Sequence, residues 1–266
     1  MSDYDKYLIA ISYIVKIARM NLTKTGRIFY GIAMAVLGFL TIYYHDFPYM
    51  FIPPHPSWIN GLVIVAYISG ALLILAGGCI FFRKKTMPVS LLLGTALLAV
   101  FCLYFIPYQL MASSRYMHFG SWENAAKELS LASGAFVIAG LFLKRLMPLG
   151  AILFSITIIS FGVDHYLFAH EASDYIPSWV PDHLFWMYFT GTALLGSGIA
   201  ILLNIWRGLA AALLGSMIFI WVIILHIPRV IAAPSEAMSG EASSALIALA
   251  YCGIAFVIAG ATKKTA

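Results

Sequence analysis

The sequence predicts an all-α polytopic membrane protein of about eight transmembrane helices, arranged as two parallel-repeat four-helix bundles. Three observations carry this expectation. Of 266 residues, 62% are hydrophobic and only 10% are charged, where a soluble domain carries about 25% charged residues, so the bilayer rather than water is the natural solvent. Apolar windows long enough to cross a membrane recur along the whole chain. Short motifs return in the second half in the order and spacing of the first.

Residues 1–25 mix Lys6, Lys16 and Arg19 with apolar residues at helical spacing, which predicts an amphipathic helix in the membrane interface. No small-residue cleavage site follows, so no cleaved leader is expected. Residues 26–145 form a first four-helix unit, with spans near 27–45, 60–82, 88–108 and 125–143. Residues 146–266 form a second, with spans near 149–168, 183–205, 208–231 and 243–262. Basic residues punctuate alternate junctions: Arg83, Lys84 and Lys85, then Lys144 and Arg145, then Arg207, then Lys263 and Lys264. The opposite junctions hold Arg115, Lys127 and Arg229. This bias predicts cytoplasmic amino and carboxyl termini in a multi-pass protein of a bacterial inner membrane. It also accounts for the net charge of +5, because cations that flank spans do not form a basic face for nucleic acid; the expected partner is the lipid bilayer. Cys79, Cys102 and Cys252 stand singly inside apolar segments, without the paired spacing of a metal or redox motif.

The repeat is specific. Pro56-Ser57-Trp58 recurs as Pro177-Ser178-Trp179. At the same spacing Tyr67-Ile68-Ser69-Gly70 matches Tyr188-Phe189-Thr190-Gly191, Gly77 matches Gly198, Gly94 matches Gly215, and Ile106-Pro107 matches Ile227-Pro228. Ala135-Phe136-Val137-Ile138-Ala139-Gly140 is repeated letter for letter at residues 255–260. Each unit has an even number of spans, so the copies point the same way, which predicts a pseudo-twofold axis along the membrane normal. Gly70, Gly77, Gly191 and Gly198 are expected to bring helices close together.

The four-span unit carries Gly26-Arg27, Gly31 and Gly38 on its first helix, Ser69-Gly70 and Gly77-Gly78 on its second, and Gly134 to Gly140 closing its fourth. In these features it resembles the DoxX-like membrane protein family, here as a tandem duplication of a unit that typically occurs singly. Members of that family are associated with membrane-bound redox systems, including a quinone-linked thiosulfate oxidoreductase and a small quinol oxidase subunit. The resemblance implies an integral subunit of a redox or quinone-linked system, with a periplasmic or membrane redox protein as partner.

The histidines and most acids, Glu128 among them, fall at outer helix ends or in outer loops, so a candidate site faces the periplasm; the positive-inside bias alone also moves acids outward. Asp164 and His165 lie about one turn inside the fifth span and His226 near the outer end of the seventh, where ionisable groups are costly unless paired or facing a cavity. With a small shift from the repeat spacing, Leu40 and Thr41 of the first unit stand opposite Asp164 and His165, and Phe105 stands opposite His226, which predicts a scaffolding first unit and a site-bearing second one. Asp164, His165 and His226 are therefore the candidate catalytic residues, with Asp182, His183, Arg229 and Trp179 as candidate ligand-binding residues. Imidazole beside a carboxylate can bind metal, exchange protons or hydrogen-bond a quinone carbonyl, and spacing does not choose among these. His165 and His170 would turn about 140° from each other on one helix, so they are not a ready chelate and no metal set is assigned. A bis-histidine haem between His165 and His226 stays open beside a quinone. Arg229 is a candidate to hold an anion, to pair with Glu236, or to snorkel, and Trp179 also suits the headgroup zone. Two other functions compete: a noncatalytic membrane anchor or assembly factor for a periplasmic partner, and a small-solute carrier, against which the apolar span centres count.

Overall fold

The computed structural model describes residues 3–48, 50–52, 62–115 and 117–262, with side chains from residue 13 onward. Every regular element among them is helical: α1 (Asp3–Tyr43), α2 (Leu62–Phe81), α3 (Thr86–Val100), α4 (Glu123–Ala139), α5 (Leu146–Leu167), the short α6 (Ala169–Ser173), α7 (His183–Leu202), α8 (Arg207–Trp221), α9 (Ile227–Ala232) and α10 (Met238–Ala261). Among the described residues, seven stretches are long and apolar enough to cross a membrane: Tyr13–Tyr43, Leu62–Phe81, Thr86–Ala112, Leu146–Leu167, His183–Leu202, Arg207–Ala232 and Met238–Ala261. The chain is thus a polytopic helical membrane protein. Its first helix is continuous over 41 residues, so the amino-terminal segment runs into the first span without a break. His55, the Pro56-Ser57-Trp58 copy, Lys263 and Lys264 lie outside the described residues.

The remaining expected span, near 125–143, is α4. Its 17 residues rise about 25 Å, less than the roughly 30 Å hydrocarbon core, and its first turns carry Glu123, Lys127 and Glu128. Protein, not lipid, surrounds it, since every residue from Glu128 to Ala139 is buried. The same holds for Ala250 to Ala259 of α10. These two helices pack on each other, with α3 and α5 also against α4, and α1 and α8 also against α10. The hexapeptide repeated letter for letter therefore lies on the two innermost helices, where equal enclosure on all sides calls for equal side-chain volumes.

Around this pair, α1 packs on α2 and α10, while α5 packs on α7 and α4. Glycine sets the close approaches. A Cβ on Gly70 would sit 2.7 Å from the Gly38 carbonyl oxygen, and one on Gly77 2.5 Å from that of Gly31. In the second half, a Cβ on Gly191 would sit 2.9 Å from His165 Cβ, and one on Gly198 2.7 Å from Ile159 Cγ1. At Gly70 and Gly77 the obstacle is backbone, so an added methyl group would force the helices apart.

Two backbone irregularities recur at matched positions. After α2, Arg83 and Lys85 adopt φ values of 58° and 46°; after α7, Asn204 and Trp206 adopt 59° and 45°. Lys84 N donates to the Cys79 carbonyl at 2.8 Å, and Ile205 N to that of Ala200 at 2.9 Å. Each helix end is also capped by an arginine, Arg27 on the Ile80 and Phe81 carbonyls and Arg207 Nε on the Ile201 carbonyl at 3.0 Å, which satisfies acceptors the helix leaves open. Further along, α3 and α8 widen into π-helical turns at Phe101–Phe105 and Val222–His226. Each turn precedes an Ile-Pro pair, Ile106-Pro107 or Ile227-Pro228. Proline cannot donate to the ladder and crowds the carbonyl four residues back. The preceding isoleucine N–H instead reaches five residues back, to Phe101 or to Val222.

Candidate functional site

The second π-helical turn ends on His226 and delivers it to a cavity of about 760 Å³ among α5, α7, α8 and α10. The start of α4 and the segment around α6 complete its wall. Much of the lining is apolar, with Ile158, Phe161, Leu194 and Ile218 among its residues, while the polar side chains come from several elements at once.

Asp164 and His165 enter from the last turns of α5. His165 Nδ1 lies 2.7 Å from the Phe161 carbonyl; a carbonyl only accepts, so Nδ1 carries the proton and Nε2 of the neutral ring remains an acceptor. Gly191 gives α5 and α7 the room to meet at this residue. Asp164 Oδ1 and His226 Nδ1 are both buried without a hydrogen-bond partner, as is Thr190 Oγ1, and all three residues line the cavity. The three residues that the sequence singles out as catalytic candidates are therefore brought together.

Arg229 lines the same cavity but is engaged. Its Nε donates to Glu241 Oε2 at 2.8 Å, a second guanidinium nitrogen donates to Glu241 Oε1, and its guanidinium carbon lies 4.2 Å from the centre of the Tyr175 ring. Among the alternatives for Arg229, the acid it pairs with is Glu241 and not Glu236. The first turn of α10 presents Glu241, whereas Glu236 is exposed in the turn before it. There its own backbone N–H and the Ser235 hydroxyl hold the carboxyl below its usual range. The other cation of the wall, Lys127, pairs with Glu123 at 2.5 Å. Both positive charges are already matched before any ligand enters.

Asp182, His183 and Trp179 stand outside this group. His183 Nε2 donates to the Pro177 carbonyl at 3.2 Å; Asp182 occupies a left-handed turn before α7 with φ 53°; Trp179 is 67% exposed. His170 follows the break at Phe168 and lies on α6 rather than on the helix of His165. Among the described residues, no group of three or more His, Cys, Asp or Glu side chains converges as a metal shell.

Sequence reasoning missed the walls supplied from a distance: Glu123 and Lys127 from α4, Thr190 from α7, Glu241 from α10. Thr190 was visible as part of a repeated motif, but which face it presents depends on packing. Glu128, read from the sequence as one of the outer acids, is fully buried in α4. Its signal was the apolar window that begins directly after it, Leu129 to Ile138. Comparison with known proteins returns no match to a family model, a curated protein or a solved structure.

Proposed function

We propose that the chain is an integral inner-membrane subunit of a redox or quinone-linked system, and that its second unit binds a quinone-like ring in the cavity. One observation carries this reading: Asp164, His165 and His226 converge on a largely apolar cavity, with Asp164 Oδ1 and His226 Nδ1 buried and unpartnered. Each such atom costs about 1–3 kcal/mol, which a ligand's hydrogen bonds recover. The 760 Å³ volume suits a small-molecule site, for which about 300–1,000 Å³ is usual. A bound quinone supplies two-electron, two-proton chemistry. Asp164 Oδ1 and His226 Nδ1 would hold the oxygens of such a ring and exchange protons with them, and His165 Nε2 would accept a hydrogen bond from a ring hydroxyl of the reduced form. In this reading the Arg229–Glu241 pair stiffens the wall.

The same reading takes α4 as an eighth, protein-sheathed span and the halves as parallel copies about a pseudo-twofold axis along the membrane normal. The matched left-handed residues, π-helical turns and helix neighbours support it. The charge bias of the junctions supports cytoplasmic termini, a bacterial inner membrane and a cavity facing the periplasm. The glycine pattern supports kinship with the DoxX-like family.

The test is an ultraviolet–visible spectrum of the purified protein in mild detergent, oxidised and dithionite-reduced, with mass analysis of its lipid extract. Quinone should co-purify with the wild type and be lost from the His165→Ala, His226→Ala double variant. A Soret band that depends on the same two residues would replace quinone by haem. A featureless spectrum and a quinone-free extract would overturn the redox reading in favour of an anchor or assembly factor.

A further inference from the structure

Glu128 has no part in the cavity, yet it is the most deeply enclosed acid among the described residues: it is fully buried, and neither carboxyl oxygen has a hydrogen-bond partner. The Tyr30 hydroxyl reaches the same helix but donates to the Leu131 carbonyl at 2.6 Å. Lys127, next in sequence, lines the cavity and pairs with Glu123. No cluster of His, Cys, Asp or Glu accompanies Glu128 among the described residues, whereas a hard cation takes several oxygen ligands. An ionised carboxylate in such a place carries a large desolvation penalty with nothing to offset it, and a proton removes that penalty.

A second observation relates the residue to the cavity. Lys127, next to Glu128 on α4, is part of the cavity wall, and in the register of the repeated hexapeptide Glu128 matches Ala248 on α10. Asn124, one turn before Glu128 on the same face of α4, lines that cavity as well. One helical turn along α4 therefore separates the buried acid from Asn124 of the cavity wall.

We propose that Glu128 is a proton-binding site, a neutral carboxylic acid inside the membrane that exchanges its proton with water in the cavity. The site is independent of the redox reading, since it needs no bound ligand to be detected. It also gives the first half an ionisable group of its own.

The experiment is infrared absorption of the full-length protein at neutral pH, with glutamate ¹³C-labelled at the side-chain carboxyl, in H₂O and D₂O. The other glutamates are paired or exposed, Glu123 with Lys127, Glu241 with Arg229, and Glu171 and Glu236 at the surface. A protonated-acid carbonyl band that shifts with the label therefore reports Glu128. We expect that band in the wild type, its displacement in D₂O, and its loss in Glu128→Gln. Wild-type protein with ionised glutamate bands alone overturns the proposal, without recourse to a variant that must fold. A band unmoved by D₂O overturns the exchange, and a band that survives in Glu128→Gln assigns the proton elsewhere.

Discussion

Gly77 and Gly78 are adjacent on α2 with opposite surroundings, which separates the contribution of helix approach from that of helix propensity. A Cβ on Gly77 would stand 2.5 Å from both the Gly31 carbonyl oxygen and Ala35 N, whereas one on Gly78 meets nothing within 4 Å. Both substitutions to alanine gain about 1 kcal/mol of helix propensity, and that gain cancels in their difference. What remains is overpacking. Ordinary contact begins at 3.4 Å, so α1 and α2 must part by nearly an ångström at this crossing. The obstacles are backbone atoms, so no change of rotamer relieves them. Insertions of this kind cost about 1–3 kcal/mol. Gly77→Ala should be less stable than Gly78→Ala by that amount, and Gly78→Ala should equal or exceed the wild type. The second half repeats the comparison: a Cβ on Gly198 would stand 2.7 Å from Ile159 Cγ1 but 3.2 Å from the nearest backbone atom, Ile159 N, and Gly196 meets nothing. The gap between Gly198→Ala and Gly196→Ala should therefore be smaller. The assay is unfolding of detergent-solubilised protein on titration with sodium dodecyl sulfate, followed by circular dichroism. Equal stability of Gly77→Ala and Gly78→Ala would refute a backbone-to-backbone contact between α1 and α2.

The Arg229–Glu241 pair should be coupled. The two side chains are 27% and 21% exposed, so removing one partner should cost about 1–3 kcal/mol, below the 3–5 kcal/mol of a fully buried pair; a double-alanine cycle that shows no interaction energy would contradict this. Lys85, at φ 46°, should gain from glycine, by about 0.5–1 kcal/mol once the entropy of glycine offsets part of the left-handed penalty. Its readout is the detergent unfolding midpoint, and a lower midpoint for Lys85→Gly counts against strain at that turn.

The spans were legible because lipid exposure demands apolar side chains on every outward face, and a hydropathy window detects that demand. α4, legible from its apolar second half, can carry Glu123, Lys127 and Glu128 in its first two turns because its solvent is protein: it is enclosed by α3, α5 and α10. Asp164, His165 and His226 were legible as ionisable groups inside apolar text, and the cavity gathers them. The choice of Glu241 over Glu236 for Arg229 was not, because it depends on where α10 begins, and only Glu241 lies within the helix that packs beside α9. His183 shows the same limit, since its ring turns back to the Pro177 carbonyl instead of inward. Local composition announces a costly group; which partner meets that cost is decided by helices distant in sequence.

The matched positions of the two halves show how one scaffold carries different chemistry. Thr41 Oγ1 donates to the Leu37 carbonyl at 2.9 Å, and His165 Nδ1 to the Phe161 carbonyl at 2.7 Å. Both bonds satisfy the side chain within its own helix, four residues back, so threonine and histidine fit the same backbone. Imidazole then has a second nitrogen to offer, and the threonine hydroxyl, itself fully buried, offers no comparable reach. Phe105 and His226 likewise end equivalent π-helical turns set by the prolines after them, so the position is built before its chemistry is chosen. The reverse exchange occurs on the central helices, where the first half has Glu128 and the second has Ala248. The first half, expected to be a scaffold, thus carries a buried acid of its own at a position that is apolar in the second. Each half holds an ionisable side chain where its counterpart is apolar, and the two helices that differ at Glu128 and Ala248, α4 and α10, pack directly on each other.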